Sequence, residues 1–584
     1  MFLGLKTGGH DTAAALVGED GAVLVAVAEE RLDREKHSSA FPRQAIEACL
    51  AEAGAEAGDV DGIFVPYRYG HAIWGAGVLP FLRYRGASAR GALRLARRLT
   101  ARRRRAAGVL FELGFRKAPV SLDHHDCHAY AAYLTSPFQG AATLLSVDGR
   151  GERASARVYR GSPEGIERLA TPGRFPHSVG LLYSAITHHL GFRPNADEGT
   201  VMALASYGDA ARLEPLFERL LRYEHRRLRT DLGLFAHYRQ PEWSPSREFE
   251  RLGCPPRRPG EPLLDVHADL AAALQKATER VVVAIARDGR ELAGADDLCL
   301  TGGVALNSVT NGALATGSTP GRVHVPSAPG DDGAALGAAL LGWSRSRRGA
   351  LPQRVRSPFL GAGGAEGAST QLNLRHLSGG WAEELAAGEV ALARAAGHLA
   401  SGAIVGLFDG RAEFGPRALG HRSILADPAH AGVTDRLNET VKFRERFRPF
   451  AIAILAERAP ALLESEVESP HMSMVFPLPE HARAQLSGVV HVDGTVRIQT
   501  VGPEGPPLLR KLLQLFDEMT GVPALVNTSM NVKGEPIVET TKQALACVER
   551  TGIDSILIGE RLFAKREPAL RAPDLHVAGP GIPS

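Results

Sequence analysis

Two runs in the second half of the chain carry side chains suited to binding oxyanions. Phe414-Gly415-Pro416-Arg417-Ala418-Leu419-Gly420-His421-Arg422-Ser423 sets two guanidiniums five residues apart beside a Gly-Pro turn. Asn527-Thr528-Ser529-Met530-Asn531-Val532-Lys533-Gly534-Glu535 supplies amides, hydroxyls and a glycine just after an apolar strand. An arginine offers a rigid fork of donors that matches planar carboxylates and tetrahedral phosphates. Either run alone reads equally well as a salt-bridged loop. Lys442, Arg444, Arg448 and Arg497 add further cations to the same half of the chain.

A second constellation lies in the first half. His124 and His128, in His124-His125-Asp126-Cys127-His128, fall on one face if the stretch is helical, stacked a turn apart. That is how a helix presents two imidazoles to one divalent metal. Asp148, at the tip of a hairpin, and Asp331, at a glycine-rich turn into a helix, would complete a set of two imidazoles and two carboxylates. Such a set suits iron, zinc or manganese, and ligand type does not choose among them. His10, at another hairpin tip, is a candidate general base, because an imidazole near neutrality can take a proton from an attacking hydroxyl. Lys36 reads either as an exposed charge or as an anion-neutralising group.

The elements that must position these residues follow from the pattern of apolar runs and turns. Phe2–Leu5, Ala13–Val17 and Ala22–Ala28 read as three strands joined by tight turns, with Gly8-Gly9-His10-Asp11 at the first tip. The pattern recurs at Thr143–Val147 and Ala154–Tyr159, around Asp148-Gly149-Arg150-Gly151. Leu298–Thr301 then runs through Gly302-Gly303 into a helix start. Two acid-tipped hairpins followed by a strand–Gly-Gly–helix turn resemble the actin-like ATPase and sugar-kinase architecture, where backbone N–H groups face phosphate oxygens.

At 584 residues with 44% apolar content, the chain is expected to form two or three domains, and the Gly-, Pro- and Arg-rich stretch in its middle divides it in two. The first spans residues 1–343, a Gly-, Pro- and Arg-rich linker covers 344–372, and a second α/β domain occupies 373–584. In that second domain Glu383–Ala400 reads as a helix and Ala403–Phe408 as a strand. A net charge of +3 neither requires nor excludes nucleic acid. Five scattered cysteines, the absence of signal-peptide form and the lack of a bilayer-length apolar run lead us to expect a soluble, cytoplasmic protein. Arg83 to Arg105 holds ten arginines and no acidic residue, and reads as a basic surface helix or an electrostatic collar for an acidic partner.

Taken together these motifs resemble the O-carbamoyltransferases that decorate nodulation factors, cephems, aminoglycosides and ansamycins (the NodU/CmcH family). The resemblance covers nearly the whole chain. It rests on His10-Asp11 with Ala28-Glu29-Glu30-Arg31, on His124 to His128, Asp148 to Glu152, Gly302 to Asn307 and Asp331-Asp332-Gly333. Phe414 to Ser423, Lys442 to Phe450 and Asn527 to Val538 continue it.

The resemblance implies an α/β protein. Its N-terminal domain would be of the actin-like ATPase (ASKHA) type with two lobes, similar to the threonylcarbamoyl-tRNA transferase, and its C-terminal domain would be YrdC-like. It implies that carbamoyl phosphate and ATP, with magnesium, give a carbamoyl-adenylate in the C-terminal domain. The carbamoyl group would then pass to a hydroxyl of a natural product or saccharide in the N-terminal domain. Iron, or another divalent metal, would sit on His124, His128, Asp148 and Asp331. His10 would be the base, with Lys36, Arg417 and Lys442 also catalytic. Gly302, Gly303 and Asn307 would hold the adenosine, and Arg417, Arg422, Lys442, Arg448, Arg497, Asn527 and Ser529 the nucleotide and carbamoyl phosphate.

The match departs at Thr200 and Ala203, where the family usually has lysine and glycine. The competing readings are a tRNA threonylcarbamoyl enzyme, for which the arginine cluster would serve as a phosphate patch, and a non-catalytic scaffold. A small-molecule acceptor, no nucleic acid, no membrane span and a possible homodimer are the expected partners.

Overall fold

The computed structural model describes residues 1–73, 89–234, 250, 253–317, 321–363, 382–466 and 468–565. The chain divides into two compact units, one of Met1–Asp33 with His37–Ser357, the other of Arg34–Lys36 with Pro358–Ser584.

The first unit contains two five-stranded sheets built to one plan. Strands β1 (Phe2–Lys6), β2 (Ala13–Val17) and β3 (Val23–Ala28) form an antiparallel meander. β4 (Gly62–Val65) and β5 (Val120–Ser121) add in parallel on the free side of β1. In the second sheet β6 (Ala142–Val147), β7 (Ala154–Ser162) and β8 (Gly165–Arg174) form the meander. β11 (Leu298–Thr301) and β12 (Val323–His324) extend it in parallel from β6. A small hairpin, β9 (Leu221–Glu224) with β10 (Arg227–Thr230), lies between them in sequence. The duplicated order, meander plus parallel extension, is the two-lobed actin-like architecture expected from the hairpin signals. All residues of β1, β2, β6 and β11 are buried, as strands covered on both faces must be.

Five helices of this unit carry or adjoin the residues singled out above. They are α1 (Ala89–Glu112), α2 (His124–Leu134), α3 (Asp265–Ala293), α4 (Ser308–Thr316) and α5 (Asp331–Ser346). α5 packs against α2 through Gly337, where an added Cβ would stand 1.9 Å from the Cys127 carbonyl oxygen. This close approach fixes the start of α5 beside the start of α2. α1 carries the arginine-rich stretch: Leu99, Ala106 and Leu110 are buried while Arg103, Arg104 and Arg105 are exposed. Residues 83–88 of that stretch lie outside the described residues.

Of the expected linker, residues 344–346 finish α5 and residues 353–355 lie along the first unit. There Gln353 N donates to Gly21 O (3.1 Å), Val355 N donates to Leu134 O (2.9 Å), and the Arg354 guanidinium stacks on Tyr133. Gly361 N donates to Ala412 O (2.9 Å) within the second unit. Residues 364–372 lie outside the described residues.

The second unit is a nine-stranded mixed sheet in the order β13-β21-β20-β14-β15-β19-β16-β18-β17. Its strands are β13 (Ala382–Ala387), β14 (Val405–Phe408), β15 (Arg422–Ala426), β16 (Ala451–Leu455), β17 (Met474–Pro477) and β18 (Thr495–Val501). β19 (Ala524–Ser529), β20 (Ser555–Ile558) and β21 (Arg561–Lys565) complete it. Helices α6 (Gly388–Ala400) and α7 (Pro507–Thr520) share one apolar cluster with the sheet, including Leu392, Leu399, Leu513, Phe516 and Leu525.

The helix expected over Glu383–Ala400 is shorter than its composition suggests. Its first residues are an edge strand paired antiparallel with β21, fastened by the Arg561–Glu384 ion pair, and the helix begins only at Gly388. A strand partner distant in sequence overrides the helical preference of Glu, Leu and Ala. Among the described residues no helix is long and apolar enough to cross a membrane. The five cysteines are buried free thiols.

Candidate functional site

In the first unit, the metal-type residues converge at the carboxyl ends of strands, the usual location for sites on such sheets. Asp148 directly follows β6, Asp331 opens α5, and His124 and His128 sit on the first turns of α2. One ligand atom from each of the four lies within 4.8 Å of those of the others. His124 Nε2 is 3.0 Å from Asp148 Oδ2 and 3.5 Å from Asp331 Oδ1. His128 Nε2 is 3.2 Å from His124 Nε2 and 3.3 Å from Asp148 Oδ2.

The far side of each ring is occupied. His124 Nδ1 donates to Pro66 O (3.2 Å) and His128 Nδ1 donates to Thr301 Oγ1 (3.4 Å), so both Nε2 atoms are turned inward. This outer hydrogen bonding is what fixes the tautomer of a ligating histidine. Asp123 caps α2, and Glu152 accepts from His124 N (3.2 Å) and Arg68 N (2.8 Å), holding that first turn in place.

The charges agree with a cation-binding cluster. Burial opposes a charged His124 ring, but the bond to Asp148 and the field of Asp331 outweigh it and push the pKa up to about 9. Burial would raise the Asp148 carboxyl, yet its bonds to the two imidazoles hold it well below the usual carboxylate range. Lys6, at the end of β1, pairs with Asp331 at 2.8 Å. One buried and one partly buried carboxylate thus attract positive charge from three sides, and the donor set of two nitrogens and two oxygens fits a divalent transition metal.

Gly302 and Gly303 lie against this cluster. Gly302 has φ +88°, and a Cβ there would stand 2.3 Å from Val147 O, so only glycine permits β11 to turn so close to β6. A Cβ on Gly303 would be 3.3 Å from Asp148 Oδ1. Asn307 caps α4 by accepting from Thr310 N (3.0 Å) and donates to Gln275 Oε1 (2.8 Å) on α3. Thr200, at the departure from the family pattern, is buried in the helix Glu198–Leu204. His10 is half-exposed, and its Nδ1 lies 2.7 Å from Asp11 Oδ2. Burial disfavours its charge, but the Asp11 hydrogen bond and the Asp331 field push its pKa up to about 8.

Arg417, Arg444, Arg448 and Arg497 form a second cluster, in the second unit. Burial first, and then Arg417, Arg444 and Arg448, hold Arg497 well below the ordinary guanidinium range. Arg417 is lowered to about 10 by burial and Arg448, and Arg444 is lowered by burial and Arg448 despite Glu445. Cations pressed together in this way bind anions, which remove the repulsion. Arg497 Nε, Ser423 Oγ and Asn527 Oδ1 are buried with no hydrogen-bond partner among the described residues. Arg497 Nε and Ser423 Oγ can donate, so an anion beside the cation cluster would supply their missing partners, whereas Asn527 Oδ1, an acceptor, needs a donor.

Two expected members are placed otherwise. Arg422 is 1% exposed, lies over the Phe408 ring, and donates to the carbonyl oxygens of Asp409, Gly410 (3.0 Å) and Glu539 (3.3 Å). Lys442 Nζ donates to Ser529 O, to Asn531 Oδ1 (2.9 Å) and to Asn531 O (3.1 Å), bracing the loop that follows β19. Asn527 donates to Gln499 Oε1 (2.7 Å), and Ser529 Oγ donates to Asn531 Oδ1 (2.7 Å). Lys36 belongs with this unit, where its charge helps depress Lys442, and Arg34 donates to Pro536 O and Ile537 O, both at 2.7 Å.

Sequence reasoning passed over Lys6, His37 and Glu152 as working residues. Lys6 ends a buried strand just before Gly8-Gly9, which is a legible signal; the other two depend on contacts distant in sequence.

Comparison with known proteins bears on both units. The family model described as "Carbamoyltransferase N-terminus" matches residues 1–72 and 92–340, and "Carbamoyltransferase C-terminus" matches 396–565. An uncharacterized protein of Synechocystis (sll1178) is 35% identical over 614 aligned positions, covering 98% of each chain. Nodulation protein NolNO of Sinorhizobium fredii is 37% identical over 572, covering 95% of this chain and 79% of its own. Component A of the (R)-2-hydroxyglutaryl-CoA dehydratase of Acidaminococcus fermentans overlays at TM-score 0.31 and 13% identity, covering 59% of this chain and 98% of its own, too slight a likeness to bear on function.

Proposed function

The chain belongs to the carbamoyltransferase family and is a transferase enzyme, and from that premise we propose that it is an ATP-dependent O-carbamoyltransferase working in two steps. The observation that carries the reading is the cluster of Arg417, Arg444, Arg448 and Arg497, in which burial and the neighbouring guanidiniums depress Arg417, Arg444 and Arg497. Joining carbamoyl phosphate to ATP brings two polyanions together, and preorganised cations are what that step requires.

In the first step, carbamoyl-adenylate forms in the second unit, which we read as YrdC-like. Atom balance requires one water to enter and inorganic phosphate to leave together with pyrophosphate. Arg417, Arg448 and Arg497 hold the phosphates, while Arg422 and Lys442 hold the walls through their carbonyl contacts.

In the second step, in the first unit, the acceptor hydroxyl attacks the carbamoyl carbon and AMP leaves. His10 takes the hydroxyl proton at Nε2, because its Nδ1 is committed to Asp11. His124, His128, Asp148 and Asp331 would hold a divalent metal, with iron our choice, which when bound supplies Lewis-acid polarisation of the adenylate. Gly302, Gly303 and Asn307 border the adenosine. The acceptor is a hydroxylated small molecule and the compartment the cytoplasm.

The test is pyrophosphate release from ATP with and without carbamoyl phosphate. Release that depends on carbamoyl phosphate and is lost in Arg417→Ala supports the reading. No release by a protein that still binds ATP overturns it.

A further inference from the structure

Asp11 lies between two imidazoles. Its Oδ2 is 2.7 Å from His10 Nδ1 and its Oδ1 is 2.8 Å from His37 Nδ1. An ionised carboxylate only accepts, so each Nδ1 carries the hydrogen, and in the neutral rings each Nε2 is left with its lone pair. The second imidazole comes from a segment 26 residues further along the chain, and that segment is fastened to the β1–β2 turn. His37 N donates to Glu30 Oε2 (2.7 Å), and Thr12 N donates to Ser38 O (3.2 Å). Asp11 and His37 both have left-handed backbones, φ 53° and 58°, an uncommon conformation for residues with a Cβ, and these bonds hold them in it.

A carboxylate with one partner can turn about its Cβ–Cγ bond. With a donor on each oxygen it cannot turn without breaking a bond. We propose that His37 is a positioning residue for His10: its Nδ1–H fixes the plane of the Asp11 carboxylate, which holds His10 in the Nδ1–H tautomer with Nε2 as the base. The role assigned to His10 rests on the two-step reading above; the clamp itself rests on the geometry.

In the transfer step, the acceptor oxygen bonds to the carbamoyl carbon, the bond from that carbon to the AMP oxygen breaks, and the hydroxyl proton ends on His10 Nε2. Asp11 stays ionised and stabilises the imidazolium, as the third member of a nucleophile–base–carboxylate set does. The other charged groups around the clamp are Lys6 and Asp331 on the His10 side, Glu30 beside His37, and Asp332 near Asp11.

The experiment uses the full chain and diethyl pyrocarbonate, with the rate of His10 acylation followed against pH by peptide mass spectrometry. The wild-type midpoint is expected near 8, and Asp11→Asn should bring it toward the ordinary 6.5. His37→Phe should lower it by about half a unit or more, whereas His37→Asn, which keeps a donor toward Asp11, should hold it near the wild-type value. If His37→Phe does not fold, His37→Ala read against His37→Asn decides.

A midpoint unmoved by His37→Phe overturns the proposal, as does an equal fall in His37→Phe and His37→Asn at unchanged melting temperature. The readout needs neither nucleotide nor acceptor. A wild-type protein that releases no pyrophosphate therefore overturns the adenylation reading separately, leaving the clamp to be judged on His10 alone.

Discussion

Replacing Arg497 with methionine tests the anion cluster in two opposite directions. Arg497 is depressed by burial and by three neighbouring guanidiniums, so its charge costs the ligand-free fold stability. Methionine keeps much of the stem volume and removes that charge, so the ligand-free variant should melt no lower than the wild type and above it at low salt. Binding should move the other way. One lost charge-assisted hydrogen bond is worth about 1.5–3 kcal/mol, which weakens pyrophosphate roughly 10- to 150-fold.

At a pyrophosphate concentration near 100 times the wild-type Kd, wild type gains about 2.7 kcal/mol. A variant weakened about tenfold gains about 1.4 kcal/mol, and one weakened about a hundredfold about 0.4 kcal/mol. For a unit of this size each kcal/mol moves the melting temperature by about 2–4 °C, so the ligand-induced shift should fall from roughly 5–11 °C to under about 6 °C. Scanning calorimetry with and without pyrophosphate, backed by isothermal titration, reads both effects. A ligand-free variant that melts well below the wild type but keeps the full pyrophosphate shift would refute the reasoning, since it would make Arg497 a structural arginine.

Other outcomes follow from the same geometry. The folded pKa of His124, about 9, lies above its ordinary 6.5, so its contribution is complete below pH 6.5 and is lost as pH rises through 9. Asp148 is depressed, so its share is present above its ordinary 3.8 and is lost only as pH falls through its lower folded value. The metal-free melting temperature should therefore fall between pH 6.5 and 9, and a saturating divalent metal, by replacing the proton, should flatten that fall; parallel melting profiles would count against the site. Asp148→Asn should reduce the metal content found by elemental analysis to a small fraction of the wild-type level. Gly337→Val sets a Cβ against Cys127 O, and should cost about 1–3 kcal/mol in denaturant unfolding and weaken metal binding by moving Asp331. Phosphate and pyrophosphate should appear in equal amounts when both are assayed in one turnover experiment.

The parts of the fold that were legible are those in which local pattern and tertiary environment agree. β1, β2, β6 and β11 are short apolar runs beside turn residues, and each is a strand where a strand was expected. His124 and His128 needed only helical spacing to be paired, and Asp148 and Asp331 only their places at turn tips. β13 was misread because Glu383-Glu384-Leu385-Ala386-Ala387 has helical composition, and its partner β21 lies far along the chain. The Asp11–His37 bond was illegible for the same reason, joining two left-handed residues whose adjacency no spacing encodes.

Arg417 and Arg422 show where residue type stops being informative. They stand five positions apart in one run and read as equivalent anion donors. Arg422 is the first residue of β15, and its guanidinium lies over the Phe408 ring and donates to a row of carbonyl oxygens. Arg417 precedes the strand, in the turn made by Gly415 and Pro416, where burial and Arg448 are what act on its charge. A guanidinium surrounded by carbonyls is a structural brace, and one surrounded by guanidiniums is a site waiting for an anion. The sequence lists the donors, but only the backbone decides whether the acceptor is the protein or its substrate. For that reason Arg417→Ala should abolish carbamoyl phosphate-dependent pyrophosphate release from a protein that melts normally, whereas Arg422→Ala should lower the melting temperature first.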